Sequence, residues 1–291
     1  MRLDDFDNSI EVEDQRGGGG GFGGPGGKIG CGSLIIALVG ALVFGINPLQ
    51  TLGALQNLQG SAPPQALPGR PGSLAESCSV NTFSRESCNA LASLNKTWSP
   101  LFAKAGIEFS APKLVFYSRE GQSGCGEAQS AMGPFYCPAD QGIYIDTDFY
   151  TEMDKQLGAG GDFARAYVMA HEYGHHVQNL TGQATQVRQL QQQNPGAANR
   201  IQVAMELQAD CYAGVWAANA AKASNGTVAL EPGDMREGLK TANAIGDDML
   251  QKRSQGRVTP EAFTHGSAEQ RMTWLNRGYE TGDPRQCDTF N

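Results

Sequence analysis

Ala170-His171-Glu172-Tyr173-Gly174-His175-His176-Val177 is the stretch from which the rest of the chain can be read. The sequence of 291 residues contains four histidines, and this stretch holds three of them inside an otherwise apolar run. Residues four apart on an α-helix stand on the same face, so His171 and His175 can offer ring nitrogens to one tetrahedral metal ion. Glu172 then falls beside the metal position rather than on it. Tyr167, Val168, Met169, Ala170 and Val177 keep the surroundings apolar, as a core helix that buries a metal requires and ordinary solvated histidines do not. Asp162 is placed to cap the start and Gly182 to end the run, which predicts a helix over 163–181. His176 sits about 100° further round the helix than His175 and reads as a structural residue.

A third ligand is needed. The long-motif zinc peptidases would have Gly and His where this chain has Gln178 and Thr181, so that source is excluded. Met205-Glu206-Leu207-Gln208-Ala209-Asp210-Cys211 supplies two carboxylates spaced i, i+4 on a second helix, predicted to open after Asn194-Pro195. Glu206 is assigned to the metal. Asp210 is assigned behind it, accepting a hydrogen bond from the outer nitrogen of a ligand imidazole, His171 first among them. Two acids on a solvated helix face would be the reading without the upstream histidines. With two His and one Glu as ligands, zinc is the expected ion, and Glu172 is expected to act as general base on an activated water.

Four strings in order carry a resemblance: His171-Glu172-x-Gly174-His175-His176, Glu206-Leu-Gln-Ala-Asp210-Cys211, Gly133-Pro-Phe-Tyr-Cys137-Pro-Ala-Asp140 and Phe263-Thr-His265-Gly266. Over roughly residues 112–290 the chain resembles the bacterial neutral zinc metallopeptidases, single-pass membrane proteins of the gluzincin type. That resemblance implies a zincin-like, zinc-dependent peptidase domain. By similarity to gluzincins, His265 either donates a hydrogen bond to the oxyanion of the tetrahedral intermediate or is a helix-start residue without chemistry. Arg271 either binds a substrate carbonyl or, the favoured reading, anchors a carboxylate such as Asp210. The strand Gly142-Ile-Tyr-Ile-Asp146 either lines a cleft where an extended substrate adds to its edge or is an ordinary internal strand.

The ends of the chain suggest where this chemistry takes place. Residues 1–28 hold Asp4, Asp5, Asp7, Glu11, Glu13 and Asp14 and then a glycine run, a composition expected to be disordered. Residues 29–46 are 18 positions without a charge, close to the ~20 needed to cross a bilayer as one helix. Arg16 and Lys28 precede them and the next Lys or Arg is Arg70, which predicts a cytoplasmic amino terminus and an extracytoplasmic, periplasmic domain at the inner membrane. A cleaved signal peptide fits less well, because the leading region is long and acidic. Pro48, Pro63, Pro64, Pro68 and Pro71 make residues 47–77 a stalk, leaving 78–291 for the peptidase domain. A net charge of −8 argues against nucleic acid as a partner.

Six cysteines lie beyond the span, an even number that suits disulfides in an oxidising compartment. Fifteen connectivities are open, of which nearest-neighbour pairing (Cys78–Cys88, Cys125–Cys137, Cys211–Cys287) is expected. No Cys-x-x-Cys pair suggests a thiolate metal site. Helical spacing over 82–105, strands at 113–117 and 142–146, and a mainly helical remainder from Asp148 predict an α+β fold: a mainly helical domain with a small sheet, preceded by one transmembrane helix. The expected activity is zinc-dependent hydrolysis of a peptide or protein by a membrane-anchored enzyme. A zinc-stabilised binding or chaperone-like module, or a hydrolase of cell-wall amides, are the alternatives. Glu172 argues against a purely structural zinc, which has no use for a base.

Overall fold

Alternation in two short apolar runs builds the centre of the molecule. The computed structural model describes residues 1–16 and 73–290. Strands β2 (Lys113–Tyr117) and β6 (Gly142–Asp146) pair in parallel, Leu114 opposite Ile143 and Phe116 opposite Ile145. Those four side chains enter the main core, while Val115, Tyr117 and Tyr144 point the other way. There they meet Ala128, Phe135 and Cys137, beneath a hairpin of β3 (Glu120–Ser123) and β4 (Gly126–Gln129). Both faces are thus covered, which is why these strands are apolar at nearly every position. Strand β5 (Phe135–Cys137) lies antiparallel to β6 at one edge, and β1 (Glu11–Asp14) lies parallel to β2 at the other. Since β6 is hydrogen-bonded on both sides, it offers no free edge, and of its two readings the internal strand is the observed one.

The main helical layer packs on the sheet. Helix α1 spans Leu74–Cys78, α2 Thr82–Ala105, α3 Asp148–Leu157, α4 Asp162–Leu180, α5 Gln183–Gln193, α6 Ala198–Ala223, α7 Asp234–Ala244, α8 Asp247–Gln255 and α9 Ala268–Thr281. Asn81 caps α2 by accepting from the Ser84 amide (2.8 Å), and Gly106, at φ 69°, ends it. Helices α2, α4 and α6 form the core triad. Trp216 stacks on Phe163 and donates to Ser93 Oγ (3.1 Å), Trp98 meets Tyr212 edge-on, and Tyr173 donates to Asn95 Oδ1 (2.8 Å).

Two helix crossings depend on glycine. A Cβ on Gly278 of α9 would lie 1.9 Å from the Cys211 carbonyl oxygen, and one on Gly214 of α6 would lie 2.1 Å from that of Leu275. At the crossing of α4 and α6, a Cβ on Gly174 would come within 2.9 Å of Ala209 Cα. Gly174 lies between the two motif histidines in sequence, and its closeness to α6 brings Glu206 within reach of them. Gly174→Ala should therefore push α4 and α6 apart, costing about 1–3 kcal/mol through overpacking. A thermal melt and a metal titration should both weaken; unchanged values for both would refute this account of the glycine.

The α+β architecture, mainly helical with a small sheet, is as expected, and the three disulfides join Cys78–Cys88, Cys125–Cys137 and Cys211–Cys287. The last ties the carboxyl tail to α6. Several boundaries differ. Helix α4 starts at Asp162 with Gly161 at the cap position, because the Asp162 carboxylate is engaged by the amino group of Met1 (2.7 Å) as well as by its neighbour's amide. Asn194 does not cap α6: its side chain bonds back to the Leu190 carbonyl, and a 3-10 turn over Pro195–Ala197 precedes the helix. The domain begins before residue 78, at a capping box formed by Ser73 and Glu76.

The largest correction concerns the amino terminus. Residues 1–16 are ordered on the domain, although their composition reads as disordered. Met1 and Ile10 are buried, Leu3, Phe6 and Val12 pack on the core, and the acids meet basic partners in Lys96–Asp7 (3.2 Å) and Lys113–Glu13 (3.0 Å). Charge that would solvate an isolated segment is neutralised here by the surface that receives it. Strand β1 of this segment and β2 of the domain share one sheet. Among the described residues no helix is long and apolar enough to cross a membrane. The proposed span 29–46 and nearly all of the stalk lie outside the described residues.

Candidate metal centre

Helices α4 and α6 bring His171, His175 and Glu206 together, with ligand atoms all within 4.8 Å of one another. Glu206 Oε2 lies 3.1 Å from His171 Nε2 and 3.3 Å from His175 Nε2, and the two rings stand at 86°. A tetrahedral zinc ion with bonds of roughly 2.0–2.2 Å holds its ligand atoms about 3.3–3.5 Å apart. The two spacings to Glu206 match such a set to within a few tenths of an ångström. Three protein ligands leave one position for water or substrate, the pattern of a catalytic rather than a structural zinc.

The outer atoms of each ligand are held as well. His171 donates from Nδ1 to Asp210 Oδ1 (2.7 Å), and His175 donates from Nδ1 to Gln178 Oε1 (2.8 Å). Gln202 donates to Glu206 Oε1 (2.7 Å). Both imidazoles are thus fixed in the tautomer that turns Nε2 toward the shared point. Gln178 is itself fully buried and donates to the Met205 carbonyl (2.7 Å) and to Gln208 Oε1 (3.0 Å), so its amide is clamped between the two helices. The sequence reading used Gln178 only to exclude another family. Its position three residues after His175, on the same face, was the available signal.

Asp210 is fully buried at the back of the centre. Arg271 of α9 reaches it with two bonds, Nε to Oδ2 and Nη2 to Oδ1, both 2.9 Å, and Tyr167 donates to Oδ1 (2.6 Å). Arg271 thus meets a carboxylate, the favoured of its two readings. Burial disfavours charge on Asp210, but the Arg271 guanidinium and His171 outweigh it and hold the carboxyl down at about 2. For His171 burial acts against protonation, and the carboxylates of Asp210 and Glu206 overcome it, raising its pKa to about 10.

Glu172 is buried, and burial first of all pushes its carboxyl up, with the charges of His171 and His175 pulling the other way. A carboxylate raised in this manner is suited to accept a proton and release it again. His265 lies in the loop that precedes α9. Asp247, at the start of α8, fixes the loop. Its Oδ2 accepts the backbone amides of Thr264 (2.7 Å), His265 (2.7 Å) and Gly266 (3.1 Å), and its Oδ1 lies 3.5 Å from His265 Nδ1. Asp247 lies outside the motif strings, 18 positions before His265, and was missed by sequence reasoning. His176 points away from the centre, donating from Nε2 to the Ser110 carbonyl (2.7 Å) and accepting from Tyr136 (3.0 Å). Burial depresses its pKa to about 4, so it is a neutral strut between α4 and β5.

Comparison with known proteins agrees with this geometry. The family model described as "Putative neutral zinc metallopeptidase" matches residues 1–290. The uncharacterised protein YpfJ of Escherichia coli strain K12 is 45% identical over 300 aligned residues, covering 100% of this chain and 99% of that one. The uncharacterised protein Rv2575 of Mycobacterium tuberculosis strain H37Rv is 46% identical over 206 residues, covering 68% of each chain. No solved structure matches.

Proposed function

This chain belongs to the family of neutral zinc metallopeptidases, and from that premise we propose that it hydrolyses peptide bonds at the centre formed by His171, His175 and Glu206. The observation that carries the reading is the convergence of two Nε2 atoms and one carboxylate oxygen at tetrahedral spacing, beside a buried glutamate that ligates nothing. A bound zinc ion would supply a Lewis acid that acidifies water and polarises the scissile carbonyl. Glu172 takes the proton of the attacking water and returns it to the leaving amine. His265, steadied by Asp247, donates to the oxyanion of the tetrahedral intermediate. Asp210, Gln178 and Gln202 hold the ligands so that no rearrangement accompanies the step.

The substrate is an extended peptide or protein segment. Among the described residues strand β5 is the outermost strand of the four-stranded sheet, on the side joined to α4 through Tyr136, His176 and Asn179, and a peptide can add there through main-chain hydrogen bonds. The apolar run 29–46 and the three disulfides support a membrane-anchored enzyme whose domain works in an oxidising, extracytoplasmic compartment.

The test is turnover of an unbiased peptide library by the full-length chain, with metal content measured before and after chelation. About one zinc per chain, activity lost with the metal and restored by one equivalent of zinc support the peptidase reading. Stoichiometric zinc without cleavage of any peptide would move the binding module or the cell-wall amide hydrolase ahead of it.

A further inference from the structure

The two motif imidazoles are backed in different ways. His171 donates to the Asp210 carboxylate, which Arg271 answers from α9. Behind His175 stands instead a line of two neutral amides, running from α4 through α6 into the segment after α9. Gln178 Oε1 accepts from His175 Nδ1 (2.8 Å), Gln178 Nε2 donates to Gln208 Oε1 (3.0 Å), and Gln208 Nε2 donates to the Cys287 carbonyl (3.0 Å). Gln178 and Gln208 are buried, as are both halves of the Cys211–Cys287 disulfide. Cys287 follows a 3-10 turn over Pro284–Gln286, and Thr289 beyond it donates to the Ala204 carbonyl (2.5 Å), so this segment lies against α6.

The line has a fixed direction. A peptide carbonyl accepts and never donates, so the Cys287 carbonyl takes the amino end of Gln208 and leaves its Oε1 facing Gln178. Gln178 must then present its own amino group, which the Met205 carbonyl also accepts (2.7 Å). Its Oε1 is left for His175, whose Nδ1 therefore carries the proton and whose Nε2 lone pair is free for a metal. Turning either amide over would set donor against donor or acceptor against acceptor in a buried place, where unmatched polar groups are costly.

Given the zinc reading of the centre, on which this rests, we propose that Gln208 is a positioning residue for the ligand His175, acting through Gln178, and that the Cys211–Cys287 disulfide fixes the carbonyl on which the line of amides ends, so that closure of this disulfide tightens zinc binding. The bridge is suited to the part by its place. Cys211 follows Asp210 and lies about one turn from Gln208 on α6, so residue 287 is clamped beside the helix that supplies Glu206. Once the bridge is opened, non-covalent contacts alone hold a residue 76 positions away in the chain, and the Cys287 carbonyl can draw back from Gln208. Gln208 then loses the partner that sets its direction, and the clamp on Gln178 is reduced to the Met205 carbonyl. The Cys78–Cys88 disulfide, which joins α1 to α2, takes no part in the line.

The test reads zinc affinity of the full-length chain by competition with a chromophoric chelator, beside a thermal melt, and needs no peptidase activity. Gln178→Met should weaken zinc binding by roughly 10–100-fold, as loss of a direct partner of a ligand imidazole does, and Gln208→Met by roughly tenfold, the low end of that range. In the double variant the Gln208 change should add little to that at Gln178, because it acts through it; additive losses, or parental affinity in Gln208→Met, overturn the proposal. Cys211→Ala with Cys287→Ala should weaken zinc binding about as Gln208→Met does, whereas Cys78→Ala with Cys88→Ala should lower the melting temperature and leave zinc affinity unchanged. Equal losses of affinity from the two disulfides would mean general loosening of the fold and overturn the proposal. Should the chain without Cys211–Cys287 fail to fold, the unaltered chain decides. Coupling is reciprocal, so zinc must protect Cys211–Cys287 from reduction more than it protects Cys78–Cys88, as read by alkylation and mass spectrometry, and equal protection overturns the proposal. A parent chain that binds no zinc would remove the reading of the centre and this inference with it; a zinc-binding parent whose variants match it removes this inference alone.

Discussion

Glu172→Gln should retain about one zinc ion per chain and lose peptide hydrolysis by roughly 10²–10⁴-fold, the contribution of a positioned general base. The substitution is nearly isosteric and removes the proton acceptor while leaving the ligands His171, His175 and Glu206 in place. Burial makes the neutral amide tolerable at this position, so the melting temperature should not fall. The expected signature is a loss in kcat with metal content and fold intact. Full activity with Gln at this position would eliminate the water-activation mechanism. Loss of zinc together with activity would mean that Glu172 contacts the metal, contrary to its place beside the ligand set.

Asp210→Ala should be the most destabilising single change at the centre. Its carboxylate accepts from Arg271, Tyr167 and His171 with no exposure to water. Removal leaves the Arg271 guanidinium, itself 3% exposed, as a buried cation without its counter-charge. Breaking a buried pair in this way costs about 3–5 kcal/mol. His171 also loses the acceptor that fixes its ring, which should weaken zinc binding by roughly 10–100-fold. Chemical denaturation and a competitive zinc titration measure the two effects separately. Asp210→Asn, which keeps the shape, should recover part of the packing but little of the stability. A variant as stable as the parent would show that Arg271 finds another partner, and the role assigned to Asp210 would be lost.

These expectations rest on residues that were visible in the sequence to different degrees. His171, Glu172 and His175 were legible because their spacing is imposed by one helix, and helix geometry is local. Glu206 and Asp210 were legible for the same reason, as an i, i+4 pair on a second helix. The strands at 113–117 and 142–146 declared themselves by short runs of β-branched and aromatic residues. The disulfide framework agrees with the nearest-neighbour expectation, although six cysteines left fifteen connectivities open and Cys211 and Cys287 lie 76 positions apart.

Residues 1–16 were misread because composition averages over a segment and ignores what receives it. Ile10-Glu11-Val12-Glu13 does alternate, but four residues of alternation beside a glycine run carry little weight until Lys113 and the β2 edge are known. Gln178, Gln202 and Asp247 carry no chemistry of their own, and their value lies in what they orient.

The sequence by itself determined the candidate ligands, the helix that presents two of them, the glutamate between those two and the helical class of the domain, since each depends on residues within a turn or two of one another. Only the tertiary structure decided between the two readings of Arg271, setting it on Asp210 across 61 positions, and showed that Gly174 lets α6 close on α4 and that Met1 reaches Asp162 across 161. Those pairings close long loops, whose entropic cost depends only weakly on length. No local pattern therefore encodes them; they are fixed by which buried charges and close-packed backbones can be satisfied together in the folded chain.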